Sequence, residues 1–527
     1  MKALKSLVLP FIIPLQIIFA QTGPGGVGST DGSSALKLWL DANIGIYSDM
    51  GITQASDGAN VQLWQDQSGN VFNAVQDSIS ARPEFSASGG PNGSATLIFS
   101  SSAISEEIDF LDLSDHVSNI INKTQCIYVV SNGSEANFDF LLHISSSSGI
   151  VSNSRFDGLG NSTTSLEYHL GFTNLGASQL FMQDGNNTNN TSIIGAVSSS
   201  SNIIYNKWDE GNEIFISTNN DLGVNDLSPN GDNVAASNFF IGRHASSISN
   251  LNRCFDGDIT EIIVFDETVN QAQNIIIHNY LAAKYGLTLA ANDVYNQDII
   301  GSGNYDYDVA GIGRINSSNI HNDAQGTGIL RILNPTDLEN NEFLMWGHDN
   351  GVQQAIETSD VPAGIQARFD RVWRVSERNT DNNASVNVGN IDMRWNLNSL
   401  GSITASDLRL LIDDDNDGIF SDETPISGAI DLGGGIFEFQ NITGGAGGIR
   451  NDRRFTLATI NISQTPLPIE LIYFDAKPEK VRSVKIVWQT ASEMNNDYFT
   501  VERSINGLDW EIVSTVLNAI NWTRYLI

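Results

Sequence analysis

Cysteine is nearly absent from this chain. Its 527 residues hold two, Cys126 and Cys254. One disulfide is the most that can form within the chain, so a disulfide-stapled scaffold is excluded. Spacing alone leaves open whether the pair bonds or stays as two buried thiols. Basic residues are scarce too: 27 Lys and Arg face 61 Asp and Glu, a net charge of −34. That balance disfavours a nucleic-acid partner and an anionic membrane surface, since both need a basic face. The seven histidines are scattered without H-x-x-x-H spacing, and no zinc site or Ser–His–Asp arrangement stands out. Past the first twenty residues, no apolar run is long enough to cross a bilayer as a helix.

What is present starts with a leader. Residues 1–20 carry Lys2 and Lys5 ahead of an apolar stretch over 7–19, the pattern of a secretory signal peptide. Cleavage is expected after Ala20, and no cysteine follows for lipidation. Residues 21–34 (QTGPGGVGSTDGSS) read as a flexible lead-in. The length fits two to four domains. From residue 35 the chain shows short strand patterns separated by Gly, Asn and Ser turns, at 36–40, 61–64, 95–99, 126–130, 138–144, 166–172, 213–217 and 238–241. Regular short strands predict a β-sandwich or barrel rather than βαβ units. The Asn- and Ser-rich residues 184–202 read as a long loop.

The stretch 255–289 (FDGDITEIIVFDETVNQAQNIIIHNYLAAKYGLTL) organises the rest. A turn at Gly257 leads into a strand over 259–265. Thr268 and Gln271 make a capping box, and Val269, Ala272, Ile276, Tyr280, Ala283 and Leu287 recur at helical spacing. Gly286 sits where a left-handed cap belongs. Strand and helix together read as the close of one domain and the hand-over to the next.

These residues, with LKLWLDA at 36–42 and WQDQSGN at 64–70, resemble laminin-G-like (concanavalin-A-like) lectin domains of large surface proteins of Bacteroidota. The resemblance covers residues 35–289 in pieces. It implies a jelly-roll sandwich and a secreted or cell-surface protein whose partner is a glycan or surface polysaccharide. Residues 290–462 follow as a second all-β domain. Its DVAGIGR, FLMWGHDN and RFDRVWRVSE resemble an uncharacterised β-domain that recurs after the lectin-like one. Residues 463–468 form a Pro-containing linker. Residues 469–527 resemble the first half of a fibronectin-III-like module that precedes the sorting domain of type IX secretion cargo. A full module needs about seven strands over roughly 100 residues, so this one is expected to be incomplete. The resemblance then implies a truncated or frame-shifted chain, with periplasmic retention as an alternative to the outer surface.

Two places carry candidate chemistry. DDDNDGIFSDE at 413–423 alternates Asp413, Asp415 and Asp417 before Gly418. This matches the start of a Ca²⁺ loop, in which carboxylates wrap a hard cation and the glycine permits the turn. Ile419 offers its carbonyl. The twelfth position is Thr424, so Ser421, Asp422 or Glu423 has to complete the shell. The alternative is an acidic surface hairpin without metal. The second place is EEIDFLD at 106–112, which looks like the carboxylate strand of jelly-roll β-glucanases. Glu107 and Asp109 share a face of a strand, as a nucleophile and its partner do. The acid/base carboxyl, required at about 5–5.5 Å in a retaining enzyme, has no clear source: it falls at Leu111 or Asp112. Trp64 reads as core, and Asp66 and Asn70 as satisfying turn backbone. The expectation is an all-β, carbohydrate-binding or adhesive protein with structural Ca²⁺. A glycoside hydrolase and a ligand-free stalk are the alternatives.

Overall fold

The computed structural model describes residues 21–527 apart from 101–107, 123, 134–138, 146–166, 174–178, 186–189, 197–200, 210–211, 228–236, 244–253, 352–355, 401, 463–464, 466–470, 481–482, 491–497, 505–509, 518–522 and 527. Among the described residues the protein is all-β and antiparallel, with a single helix longer than four residues. No helix there is long and apolar enough to cross a membrane.

Two sheets form the first sandwich. One runs Val224–Asp226, Glu213–Thr218, Asn202–Asp209, Thr124–Gly133, Gly257–Phe265, Thr96–Phe99 and Glu84–Ser86, with Leu36–Asp41 also paired to Gly257–Phe265. The other runs from Asn190–Ala196 through Asp139–Ser145 and Asn238–Ile241 to Ile46–Tyr47. Between them lies a core that includes Leu38, Leu40, Trp64, Leu111, Val129, Leu141, Ile262 and Val264. Trp64 is thus core, as its alternating strand predicts. Residues 190–196 were expected in a loop; they form a strand beside Gln179–Gly185. Asn and Ser turn chemistry around them hid its TSII centre.

The second sandwich repeats the plan. Tyr307–Asn316, Glu342–His348, Trp373–Asn379 and Arg454–Thr459 lie in one sheet. Leu330–Leu333, Ile391–Asn396 and Ile436–Ile442 lie in the facing one. Trp346, Trp373, Met393, Trp395 and Phe455 fill the space between. Beyond it, Leu471–Lys480, Ser483–Thr490 and Thr523–Leu526 make a three-stranded sheet, and Tyr498–Ser504 pairs with Trp510–Leu517.

The helix Gln271–Tyr285 joins the two sandwiches. Its buried residues, among them Ile275, Ile276, Tyr280 and Leu281, meet Trp39, Tyr128 and Ile263 on one side and Val309, Phe343 and Met345 on the other. A helix buried on nearly every side lacks the usual polar face. The strand under it is buried on both faces as well. Ile259, Ile262 and Val264 enter the sandwich core, while Ile263 and Phe265 face the helix. A register shift between Ile259 and Glu261 sets that alternation. The cap lies two residues later than the sequence implies. Asn270, not Thr268, is the N-cap: its side chain accepts from Gln273 N at 3.1 Å, and Gln273 Oε1 accepts from Asn270 N at 3.0 Å. Asparagine caps as well as threonine does, and this one also donates to the Ile320 carbonyl. Gly286 is left-handed at φ 60°, as expected.

The lead-in is a further correction. Residues 23–27 are buried, with Gly25 against Ile276 and Gly26 against Ala324. Gln325 N and Gly326 N donate to the Gln21 carbonyl at 3.0 and 2.9 Å. Here the glycines serve close backbone approach rather than flexibility.

Candidate functional site

The 413–423 turn follows the strand Leu408–Ile412. Asp413, fully buried, accepts from Asp417 N and Gly418 N at 3.1 Å each and from Arg454 Nη2 at 2.5 Å. Asn416 and Gly418 take left-handed φ of 60° and 99°, which closes the turn and brings Asp413, Asp415 and Asp417 together. Their ligand oxygens all lie within 4.8 Å of one another. Glu423 is outside that group; its Oε1 accepts from Asp414 N at 2.6 Å. Burial first, then Asp413, Asp422, Asp415 and Asp417, push its carboxyl up to about 7. Ile419 N donates to Asp417 Oδ1, and Ser421 N is drawn to Asp360 Oδ1 at 2.9 Å. Asp360, 61 residues upstream of Ser421, holds the far end of the turn, and nothing local in the sequence marks it. The donor set of three carboxylates suits a hard cation, with Arg454 sharing Asp413.

The second expected place is described only in part. Glu107 lies outside the described residues. Asp109 accepts from Ser100 N at 2.9 Å, so it secures a backbone turn. The W-x-D-x-S-G-N turn does what was expected of it. Asp66 accepts from Trp39 N, Ser68 N, Ser68 Oγ and Phe72 N at 2.7–3.0 Å. Asn70 donates to the Leu36 and Lys37 carbonyls. Cys126 and Cys254 are both buried thiols that form no disulfide with each other, and burial pushes the Cys126 thiol up to about 11.

Sequence reading missed a cleft where both sandwiches meet the helix. Its volume is about 360 Å³, and it is lined by Asp41, Asn43, Asn92, Lys284, Tyr307 and Asp308, among others. Lys284 Nζ donates to Asp41 at 2.7 Å, Glu261 at 2.6 Å and Tyr280 Oη at 3.0 Å. Glu261 also accepts from Tyr285 Oη at 2.5 Å and Trp39 Nε1 at 2.7 Å. Burial works against the Lys284 ammonium, but Asp41 and Glu261 outweigh it and hold the proton far above the lysine range. On the opposite wall Asp308 has a left-handed φ of 50°, a strained backbone of the kind that gathers at binding sites. It bonds His348 Nε2 at 2.8 Å and takes the Thr327 hydroxyl. Tyr307 stands half-exposed beside it, its ring stacked on His348 at 5.9 Å. The signal that carried this site was present as LDA at 40–42, K at 284 and YDYD at 305–308, but it is split over more than 260 residues.

A family model described as "Domain of unknown function (DUF8202)" matches residues 273–444. No curated protein matches the chain. Among solved structures, the chain is similar to the binding domain of Paraclostridial Mosquitocidal Protein 1, at 13% identity and TM-score 0.32, over 68% of this chain and 75% of that one. It is similar to the binding domain of Botulinum Neurotoxin DC in complex with SialylT, at 9% identity and TM-score 0.30, over 94% and 93%. A third is the Ruminococcus gnavus IT-sialidase CBM40 bound to alpha2,3 sialyllactose, at 17% identity and TM-score 0.24, over 32% and 88%. At such TM-scores the likenesses decide neither architecture nor ligand.

Proposed function

We propose that this is an exported, multidomain β-sandwich protein of a cell surface that binds carbohydrate. The cleft between its two sandwiches is the observation that carries this reading. Ligand sites favour concave junctions between domains, lined by a few fixed polar groups. Here carboxylates, amides and an ammonium surround a half-exposed tyrosine ring, the mix that hydrogen-bonds hydroxyls and stacks on a sugar face. Asn43 and Asn92 are already oriented by bonds to Asp41 and Asp306, so little ordering cost remains on binding. The leader pattern at 1–20 supports export. The acidic turn supports a structural Ca²⁺ held by Asp413, Asp415 and Asp417, with the Ile419 carbonyl and Ser421 or Glu423 as further donors. Such an ion supplies charge balance to a strand connection.

The test is a glycan array on the full chain, with and without Ca²⁺, reading released product in parallel. Binding without cleavage is the expected result. Cleavage lost in Glu107→Gln replaces this reading with a glycoside hydrolase. Silence in both channels leaves a structural stalk.

A further inference from the structure

Charge is unevenly compensated around the cleft. Three carboxylates, Asp41, Asp306 and Asp308, line it against a single ammonium, Lys284. Behind them, Glu261 adds one negative charge through Lys284 and Arg371 adds one positive charge 4.0 Å from Asp308. These two cancel and leave the excess in place. Asp41 and Asp308 each have a basic partner. Asp306 differs: among the described residues its side-chain hydrogen-bond partners are the amides of Asn92 at 3.4 Å and Asn304 at 3.1 Å. It is nine-tenths buried, and one of its carboxylate oxygens has no hydrogen-bond partner. Among the described residues it forms no ion pair. A carboxylate that deep is normally paired, bound to a cation or driven toward its protonated form, and burial pushes the Asp306 carboxyl above the ordinary range, a shift that a cationic partner would reverse. Asp298, close behind, is pushed up to about 7, by burial first and then by Asp293 and Asp306. Its proton is thus held up to about pH 7 beside the negative charge of the cleft wall, so the uncompensated carboxylate of the wall is Asp306.

We infer that the cleft selects a saccharide bearing a protonated amine, an amino sugar whose nitrogen is not acetylated, with Asp306 as its counter-charge. The inference rests on the carbohydrate reading above and adds the ligand class. A metal ion is a poorer match. The acidic side chains whose oxygens converge within 4.8 Å, among the described residues, are those of the 413–417 turn, not of the cleft. A single charge on a hydroxylated ring fits better. Tyr307 presents a ring face to which an ammonium is attracted. Asn43, Asn92, Ser94 and Thr327 are placed to exchange hydrogen bonds with hydroxyls. The same walls repel uronic and sialic acids, because like charges brought together in a partly desolvated site raise each other's energy.

The experiment is calorimetry on the full chain with matched oligomers of glucosamine, N-acetylglucosamine, glucose and a uronic acid, and with polylysine as a non-sugar amine. Glucosamine oligomers are expected to bind at least about tenfold tighter than the acetylated or neutral ones, a difference of about 1.4 kcal/mol. The uronic acid is expected not to bind. Asp306→Asn should reduce the amine preference to below about threefold, and Tyr307→Ala should weaken every sugar, with both melting temperatures recorded as folding controls. Equal binding of neutral, acetylated and amino sugars overturns the inference while leaving the carbohydrate reading in place. Polylysine binding as tightly as glucosamine oligomers, or an unchanged amine preference in folded Asp306→Asn, also overturns it. If Asp306→Asn does not fold, full affinity in Tyr307→Ala overturns the site. No binding of any sugar removes the carbohydrate reading itself.

Discussion

Glu261 and Asp413 are both buried carboxylates answered by one basic side chain, and they differ in everything else. Glu261 meets Lys284 and Tyr285 from the helix and Trp39 from the neighbouring strand. Its donors are side chains brought from up to 222 residues away, and each is fixed by tertiary packing. Asp413 meets Arg454, but its other bonds come from its own turn, and the next acids, Asp415 and Asp417, face solvent. The first arrangement closes a junction between domains. The second leaves carboxylate oxygens with no cation assigned. Burial alone does not distinguish structure from binding; the source of the compensating charge does.

The largest expected effect breaks the first arrangement. Lys284→Met leaves Glu261 and Asp41 facing each other in a buried space, and removing one partner of a buried ion pair costs about 3–5 kcal/mol. Urea unfolding checks it. The double change with Glu261→Gln is expected to recover part of the loss, since one uncompensated charge then disappears. A loss below about 1 kcal/mol in Lys284→Met places the pair with ordinary surface bridges and ends the contrast.

Glu377 sharpens the comparison, because it is a buried carboxylate with no ion pair among the described residues. One oxygen accepts from Val388 N at 2.7 Å, and the other has no partner. Burial, only partly offset by the Val388 and Asn451 backbone contacts, pushes its carboxyl up to about 7 from the ordinary 4.5. The folded state therefore keeps the proton longer than the unfolded chain. Its contribution to stability is full below about pH 4.5 and is lost as pH rises through about 7. Glu377→Gln is expected to stabilise the protein at pH 8 by about 2–3 kcal/mol and to flatten the fall in stability between pH 5 and 8. Denaturant midpoints at pH 5 and 8 measure both effects. Equal pH slopes in the two proteins count against an unpaired carboxylate at this position.

Much of the architecture was legible because it is local. The short-strand pattern located Asn238–Ile241 to the residue, and Gly286 marked the end of the helix. The cap at Asn270 was obscured because Thr268 offered an equally good motif two residues earlier. The 413–417 carboxylates were legible for the same reason: a turn of six residues brings them together without help. The cleft was not, since Asp41, Lys284 and Asp308 meet only after three elements pack. Residues 21–34 misled because composition does not separate a glycine used for freedom from one used for contact.

That last point is testable at Gly26. Its φ is 87°, and a Cβ there would lie 2.6 Å from the Ala324 Cβ. A flexible lead-in tolerates alanine, whereas a docked segment does not. Gly26→Ala is expected to cost about 1–3 kcal/mol from backbone strain and overlap. His321 Nε2, 3.0 Å from the Gly26 carbonyl, provides a nearby NMR reporter of whether the segment has detached. An unchanged melting temperature with an unchanged His321 signal means that the 21–34 segment contributes no stability.

The smallest effect belongs to the turn itself. A ligand that binds only the folded state stabilises it by RT ln(1 + [L]/Kd), about 1.4 kcal/mol at tenfold excess over Kd. Ca²⁺ is expected to raise the melting temperature by a few degrees at most, with the gain absent from Asp415→Asn/Asp417→Asn. The pH direction adds a second handle. Glu423, held up at about 7 by burial and by the acids around it, should lose that repulsion when a cation neutralises the turn. Ca²⁺ binding near pH 7 is then accompanied by proton release, which calorimetry in buffers of different ionisation enthalpy detects. Mg²⁺ demands a tighter octahedral shell, so it should produce less of both signals. If Arg454 already supplies the charge that Asp413 needs, neither cation shifts the melting temperature. Asp413 then joins Glu261 as a closed structural pair, and the contrast between the two regions disappears.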